Sequence, residues 1–132
     1  MCACVHTRWF FLSASELLIF FAAFLIHGCI YYCKYYYTNN NDILESIENN
    51  NSFQKVTNDN IDNIKNCIEY FNNRINNSTD DMLYNYDFLT NQINADDYFC
   101  FIFRDKSNPF NDFDLYYFDN ETQILYYFHS DV

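Results

Sequence analysis

The chain is predicted to be an α+β protein: an N-terminal transmembrane or signal-anchor helix, then a small domain of one or two helices packed on a three- to four-stranded antiparallel sheet. Three observations carry this expectation. A 24-residue apolar run lies near the start, one stripe of apolar residues recurs at helical spacing in the middle, and several short aromatic runs follow in the second half.

The apolar run, WFFLSASELLIFFAAFLIHGCIYY from Trp9 to Tyr32, is interrupted by Glu16 and His27. At ~1.5 Å per residue a helix of this length covers the ~30 Å hydrocarbon layer. Trp9 at one end, and Tyr31, Tyr32, Tyr35, Tyr36 and Tyr37 at the other, fit the aromatic belts of a membrane interface. Glu16 lies within two helical turns of the segment's start and is read as interfacial. The uninterrupted core from Leu17 to Ile26 is shorter and also suits a signal peptide. Gly28-Cys29 resembles the bacterial lipoprotein box, and that resemblance implies lipidation at Cys29. The expected organisation is a tail at 1–8, the membrane segment at 9–33, an Asn-rich juxtamembrane linker with a short helix at 34–57, and an acidic α+β domain at 58–132.

Within that domain Ile61, Ile64, Ile68, Phe71 and Ile75 are spaced three and four apart, one face of a helix over Asn58–Asn76. Thr57 or Asn58 is the expected cap, and Asn76-Asn77-Ser78 the expected stop. Ile43, Leu44 and Ile47 mark a shorter helix. The strands are read from Tyr84, Tyr86 and Phe88, from YFCFIFR at Tyr98–Arg104, from FDLYYF at Phe113–Phe118 and from QILYYFH at Gln123–His129. The polar link Asp119-Asn120-Glu121-Thr122 makes a hairpin of the last two.

Composition narrows the function classes. The chain has 20 Asn, 13 Tyr, 15 Phe, one Gly and one Pro, with a formal net charge of -11. From Tyr35 onward there are 17 acidic and five basic residues, a balance of -12. Such a surface repels phosphate backbones and anionic lipid heads, so no nucleic-acid partner is expected, and membrane contact falls to residues 9–33. Loops that cradle phosphate need glycine for close backbone approach, and the single Gly28 lies in the apolar run. No nucleophile stands beside a general base, so no catalytic, cofactor-binding or metal-binding residues are assigned, and no cofactor is expected. The pairs Asp80-Asp81 and Asp96-Asp97 are read as solvated loops. Asp105, Ser107, Asn111, Asp112 and Asp114 crowd one stretch with oxygen ligands but lack the glycine and terminal Glu of an EF-hand loop. Asn108-Pro109-Phe110 resembles the tripeptide read by adaptor domains of the endocytic machinery; its structural reading is a turn at Pro109.

Of six cysteines, Cys67 and Cys100 fall in the domain, either as a disulfide closing a loop of about 30 residues or as two buried thiols. Asn50, Asn76, Asn77 and Asn120 begin Asn-x-Ser/Thr sequons and permit glycosylation. The resulting expectation is a single-pass membrane protein whose extracytoplasmic domain binds or assembles, through an aromatic sheet face, with a protein partner or with its own copies. The alternative is a secreted or surface-held factor released by signal cleavage.

Overall fold

The computed structural model describes residues 2–6, 29–37, 40–77 and 86–131. Most of the expected membrane segment, with Glu16 and His27, lies outside these residues, as do Asp80, Asp81 and Tyr84. Among the described residues no helix is long and apolar enough to cross a membrane.

The architecture is α+β, with a helix on each face of one sheet. In chain order the elements are β1 (Cys2–His6), β2 (Cys29–Tyr36), α1 (Asn40–Glu48), β3 (Gln54–Lys55), α2 (Ile61–Asn76), a 3-10 turn (Thr90–Gln92), β4 (Tyr98–Phe103), β5 (Phe113–Asp119) and β6 (Ile124–Ser130). The sheet order is β1-β2-β6-β5-β4-β3. From β2 to β3 the five strands are antiparallel, and β1 adds in parallel beside β2, Cys2 opposite Cys29.

The sheet is therefore wider than the sequence suggests. Cys29–Tyr36, expected as the far edge of the membrane segment and its aromatic belt, is an internal strand paired with β6 from Ile30↔Ser130 to Tyr36↔Ile124. A run of β-branched and aromatic residues satisfies the pleat as readily as an interface. The expected strand around Tyr86 and Phe88 does not form. Those residues are extended chain whose rings enter the core, Phe88 lying 4.7 Å from Tyr126 and Tyr86 4.8 Å from Tyr32.

The helix over the middle forms much as its spacing requires. Ile64, Cys67, Ile68 and Phe71 of α2 are fully buried, and Ile61 and Ile75 pack partly against them. Its N-cap is Asn60 rather than Thr57 or Asn58. The Asn60 side chain does not cap its own helix. Its Oδ1 accepts from the Thr57 amide at 2.8 Å, and its Nδ2 donates to the Lys55 carbonyl at 3.0 Å, which fixes the joint between β3 and α2. Asp62 in the first turn and Arg74 in the last suit the helix dipole.

Strand alternation sorts the side chains into two cores. Ile30, Tyr32, Phe99, Phe113, Leu115, Tyr117, Tyr126 and Phe128 lie under α2. Cys33, Tyr35, Cys100, Tyr116, Phe118, Leu125 and Tyr127 lie on the opposite face, where α1 adds Ile43 and Ile47. The β5–β6 hairpin is as expected. The Asp119 carbonyl accepts from the Gln123 amide at 2.8 Å, and the Asp119 carboxylate caps the Glu121 and Thr122 amides at 2.9 and 3.0 Å. Gln123 takes a left-handed φ of 58° there, a conformation usually given to glycine.

Candidate functional site

Two features stand out from this frame, and both are organised by β4. The first is its outer edge. β3 pairs only with Tyr98 and Phe99. The Val56 amide donates to the Asp97 carbonyl at 2.8 Å, and the Arg104 amide donates to the Asp112 carbonyl at 3.0 Å on the other side. In an antiparallel ladder successive residues turn their backbone groups to opposite sides. The N–H and C=O of Asp97, Phe99, Phe101 and Phe103 thus face outward, and those of Ile102 and Arg104 face β5. On this outer side Phe99 is matched to Gln54, and Phe101 and Phe103 have no strand partner among the described residues.

The side chains of that edge form an aromatic ladder. Phe99 and Phe101 lie 5.4 Å apart and Phe101 and Phe103 stack at 4.8 Å. They line one wall of a cleft of about 510 Å³, with Asn60 and Asn63 at the start of α2, and Phe110 completing it. Phe103 is 42% exposed. No Lys, Pro or bulge blunts the stretch Cys100–Phe103, the devices by which open edges are normally protected.

The second feature is a polar cluster behind the same strand. Asp114 lies on the α1 side of β5, opposite His129 in register. Its Oδ1 meets His129 Nδ1 at 2.7 Å and accepts from the Tyr127 hydroxyl at 2.9 Å, and its Oδ2 accepts from Arg104. Arg104 also donates to Asp112 at 2.8 Å. The Asp114 and His129 side chains are only 6% and 5% exposed. Burial pushes the Asp114 carboxyl up, yet the bonds from His129 and Tyr127 and the Arg104 charge outweigh it and hold the group below the usual carboxylate range. His129 Nε2 is buried with no hydrogen-bond partner among the described residues.

This cluster is built for cohesion. Both oxygens of Asp114 are engaged by internal partners, Oδ1 by His129 and Tyr127 and Oδ2 by Arg104, which favours its charged form. Burial pushes the nearby Cys100 thiol up to about 11, aided by the Asp114 charge, so it is a protonated and poor nucleophile at neutral pH. Asp97 is comparable: 2% exposed, it accepts from Tyr117 and from the Asn94 and Asn120 amides at 3.0 and 2.9 Å. Burial raises its carboxyl, with those bonds pulling partly the other way. Sequence reading took Asp96-Asp97 as a solvated loop. Asp96 fits that reading, exposed and paired with Lys55 at 2.7 Å; Asp97 does not.

The remaining expected positions are dispersed. Cys67 and Cys100 are free thiols in the two different cores, on opposite faces of the sheet, so the disulfide alternative is replaced by two buried cysteines. Asn76 and Asn77 are exposed at the end of α2, and Asn50 and Asn120 are partly exposed in turns. The oxygen-rich stretch is internally satisfied: Asp105 accepts from the Ser107 amide and hydroxyl at 2.8 and 2.6 Å, while Asp112 and Asp114 hold Arg104. Among the described residues no group of three His, Cys, Asp or Glu is placed to hold a metal ion. Phe110 of the Asn-Pro-Phe tripeptide packs against Tyr70 at 5.7 Å, as a wall of the cleft. The edge of β4 was not legible as a site, because a strand's position in the sheet cannot be read from its own residues. The cluster's only sequence signal was a lone Asp between apolar neighbours, Phe113-Asp114-Leu115. No protein-family model, curated protein or solved structure matches the chain.

Proposed function

We propose that the chain is a membrane-attached interaction module, whose α+β domain recruits a protein partner and carries out no reaction of its own. The single observation that supports this most is the contrast between its closed cores and its open β4 edge. The acidic groups buried near the sheet are engaged by internal partners, whereas Phe101 and Phe103 present outward backbone groups beside an aromatic cleft. The apolar stretch from Trp9 to Gly28 supplies the attachment; β1 and β2 flank it and pair with each other, so both its ends are read as lying with the acidic domain on the extracytoplasmic side.

A second reading is favoured by the position of β2. It begins at Cys29, directly after Gly28, so cleavage there leaves all five antiparallel strands intact. The product would be a secreted or surface-held factor. The pairing of β1 with β2 speaks for retention of the N-terminus instead.

The test uses the full chain in its native cells, with a photoreactive residue at position 103. The expected result is fractionation with membranes under alkaline carbonate, an intact Met1 on N-terminal sequencing, and a light-dependent crosslink to a second protein. A mature chain beginning at Cys29 would establish the secreted form. A chain washed free of membranes with no crosslink from 103, or from control positions on α1 and α2, would overturn the module reading.

A further inference from the structure

We infer that the outer edge of β4 binds an extended segment of a partner protein as an additional antiparallel or parallel strand, and that this segment alternates apolar with polar residues and carries Lys or Arg at its ends. The inference deepens the interaction reading above and rests on it.

Backbone geometry supplies the first argument. Phe101 and Phe103 turn two N–H and two C=O groups away from β5, beyond Phe99, where the two-residue β3 begins. An incoming strand continues the ladder that β3 begins. Strand addition draws affinity from such main-chain bonds and specificity from pockets for every second side chain. The cleft supplies the pockets: a strand beside β4 places alternate side chains next to Phe101 and Phe103, on the α2 side, facing Asn63 and Phe110.

Charge selects the occupant. Asp59 and Asp62 are exposed and adjoin in sequence the cleft-lining Asn60 and Asn63, while the cations beside the edge, Lys55 and Arg104, are already paired with Asp96 and with Asp112 and Asp114. The formal charge of the whole chain is -11. Two copies joined edge to edge bring two such charges together, so self-pairing through β4 is disfavoured, as is an acidic segment. A segment with basic ends is attracted to Asp59 and Asp62.

The experiment uses the isotope-labelled full chain in detergent and a blocked nine-residue peptide of alternating Val and Thr between terminal lysines. In the free chain the amides of Phe101 and Phe103 exchange with solvent faster than those of Ile102 and Arg104, which face β5. Peptide addition protects Phe101 and Phe103 and shifts their resonances. N-methylation of the peptide on alternate residues, in the register that faces β4, weakens binding by about tenfold or more, as loss of two net backbone bonds requires. Glutamate in place of the terminal lysines also weakens it. Phe103→Lys, at a position already 42% exposed, abolishes binding with an unchanged unfolding midpoint. Protection of Phe101 and Phe103 before peptide is added, or equal binding of the N-methylated peptide, overturns the strand-addition proposal. With the photoreactive residue moved to position 110 in the same cleft, a cellular partner that crosslinks to the Phe103→Lys chain as well as to the chain with Phe103 also overturns it, while leaving the interaction reading standing.

Discussion

The two faces of the sheet are packed by different means. Under α2 the packing is mainly apolar, although Tyr117 donates to Asp97 and Tyr32 to Asp87: Phe71 meets Phe128 edge-on at 5.4 Å, Phe88 meets Phe128 at 5.1 Å, and Ile64 and Ile68 have no exposed surface. Under α1, a nine-residue helix, the apolar cluster shares its face with Arg104, Asp112, Asp114, Tyr127 and His129. An apolar core is indifferent to pH and degrades in proportion to the volume removed. A polar cluster is conditional, because each member is tolerated only while its partners are present.

The largest expected effect comes from breaking the conditional face. Asp114→Ala leaves Arg104, Tyr127 and His129 without their common acceptor and is expected to cost about 3–5 kcal/mol, read by denaturant unfolding of the full chain. The same residue gives the face its pH dependence. A carboxylate whose pKa falls on folding stabilises the native state above its unfolded value, near 3.9, and that contribution is lost as pH falls through the lower native value. The wild-type midpoint therefore drops below about pH 4, and Asp114→Asn is less stable at pH 7 with a shallower acid decline. Asp97 has the opposite sign. Its raised pKa weighs against folding while the group is charged, and the penalty lifts as pH falls through the native value. Asp97→Asn should make the acid decline steeper; a parallel profile would deny its buried role.

On the apolar face Phe71→Ala is expected to cost about 3–4 kcal/mol, with an acid profile parallel to wild type. A profile changed as in Asp114→Asn would show that the two faces are not independent. Ile43→Val on α1 sharpens the comparison at smaller scale, at about 0.5–1.5 kcal/mol, since only one methylene leaves a site 1% exposed. The smallest effect belongs to Lys55→Gln. Its pair with Asp96 joins side chains 52% and 73% exposed, and its loss should leave the unfolding midpoint unchanged within error.

What the sequence made legible follows the same division. The α2 stripe was plain because its apolar residues recur against polar neighbours at helical spacing. The β5–β6 hairpin was plain because Asp119-Asn120-Glu121-Thr122 separates two aromatic runs. β2 was hidden because Ile30–Tyr36 continues an apolar run that began at Trp9, leaving no boundary where membrane-like composition gives way to strand. Asp97, Asp114 and His129 were hidden for a different reason. The alternation of a strand shows which face a polar residue occupies, but whether that face is covered depends on elements distant in sequence, as α1 at Asn40–Glu48 is from Asp114 and His129. The open edge of β4 was least legible of all, since it is set by how late β3 begins, at Gln54 opposite Phe99.

β2 and β6 also have a kinetic meaning. They are neighbours in the sheet, Ile30 beside Ser130, yet stand at opposite ends of the domain's sequence. The β5–β6 hairpin and α2 need only local contacts and are free to form early, whereas β2 must wait for the last strand to be synthesised. Closing so long a loop is entropically costly, which places this domain among slower folders of its size. Until β6 arrives, the aromatic strand edge of β2 is open to any chain nearby. A nascent chain is thus most vulnerable to mispairing through Ile30–Tyr36, and a chaperone that covers that strand during synthesis would raise the yield of folded protein.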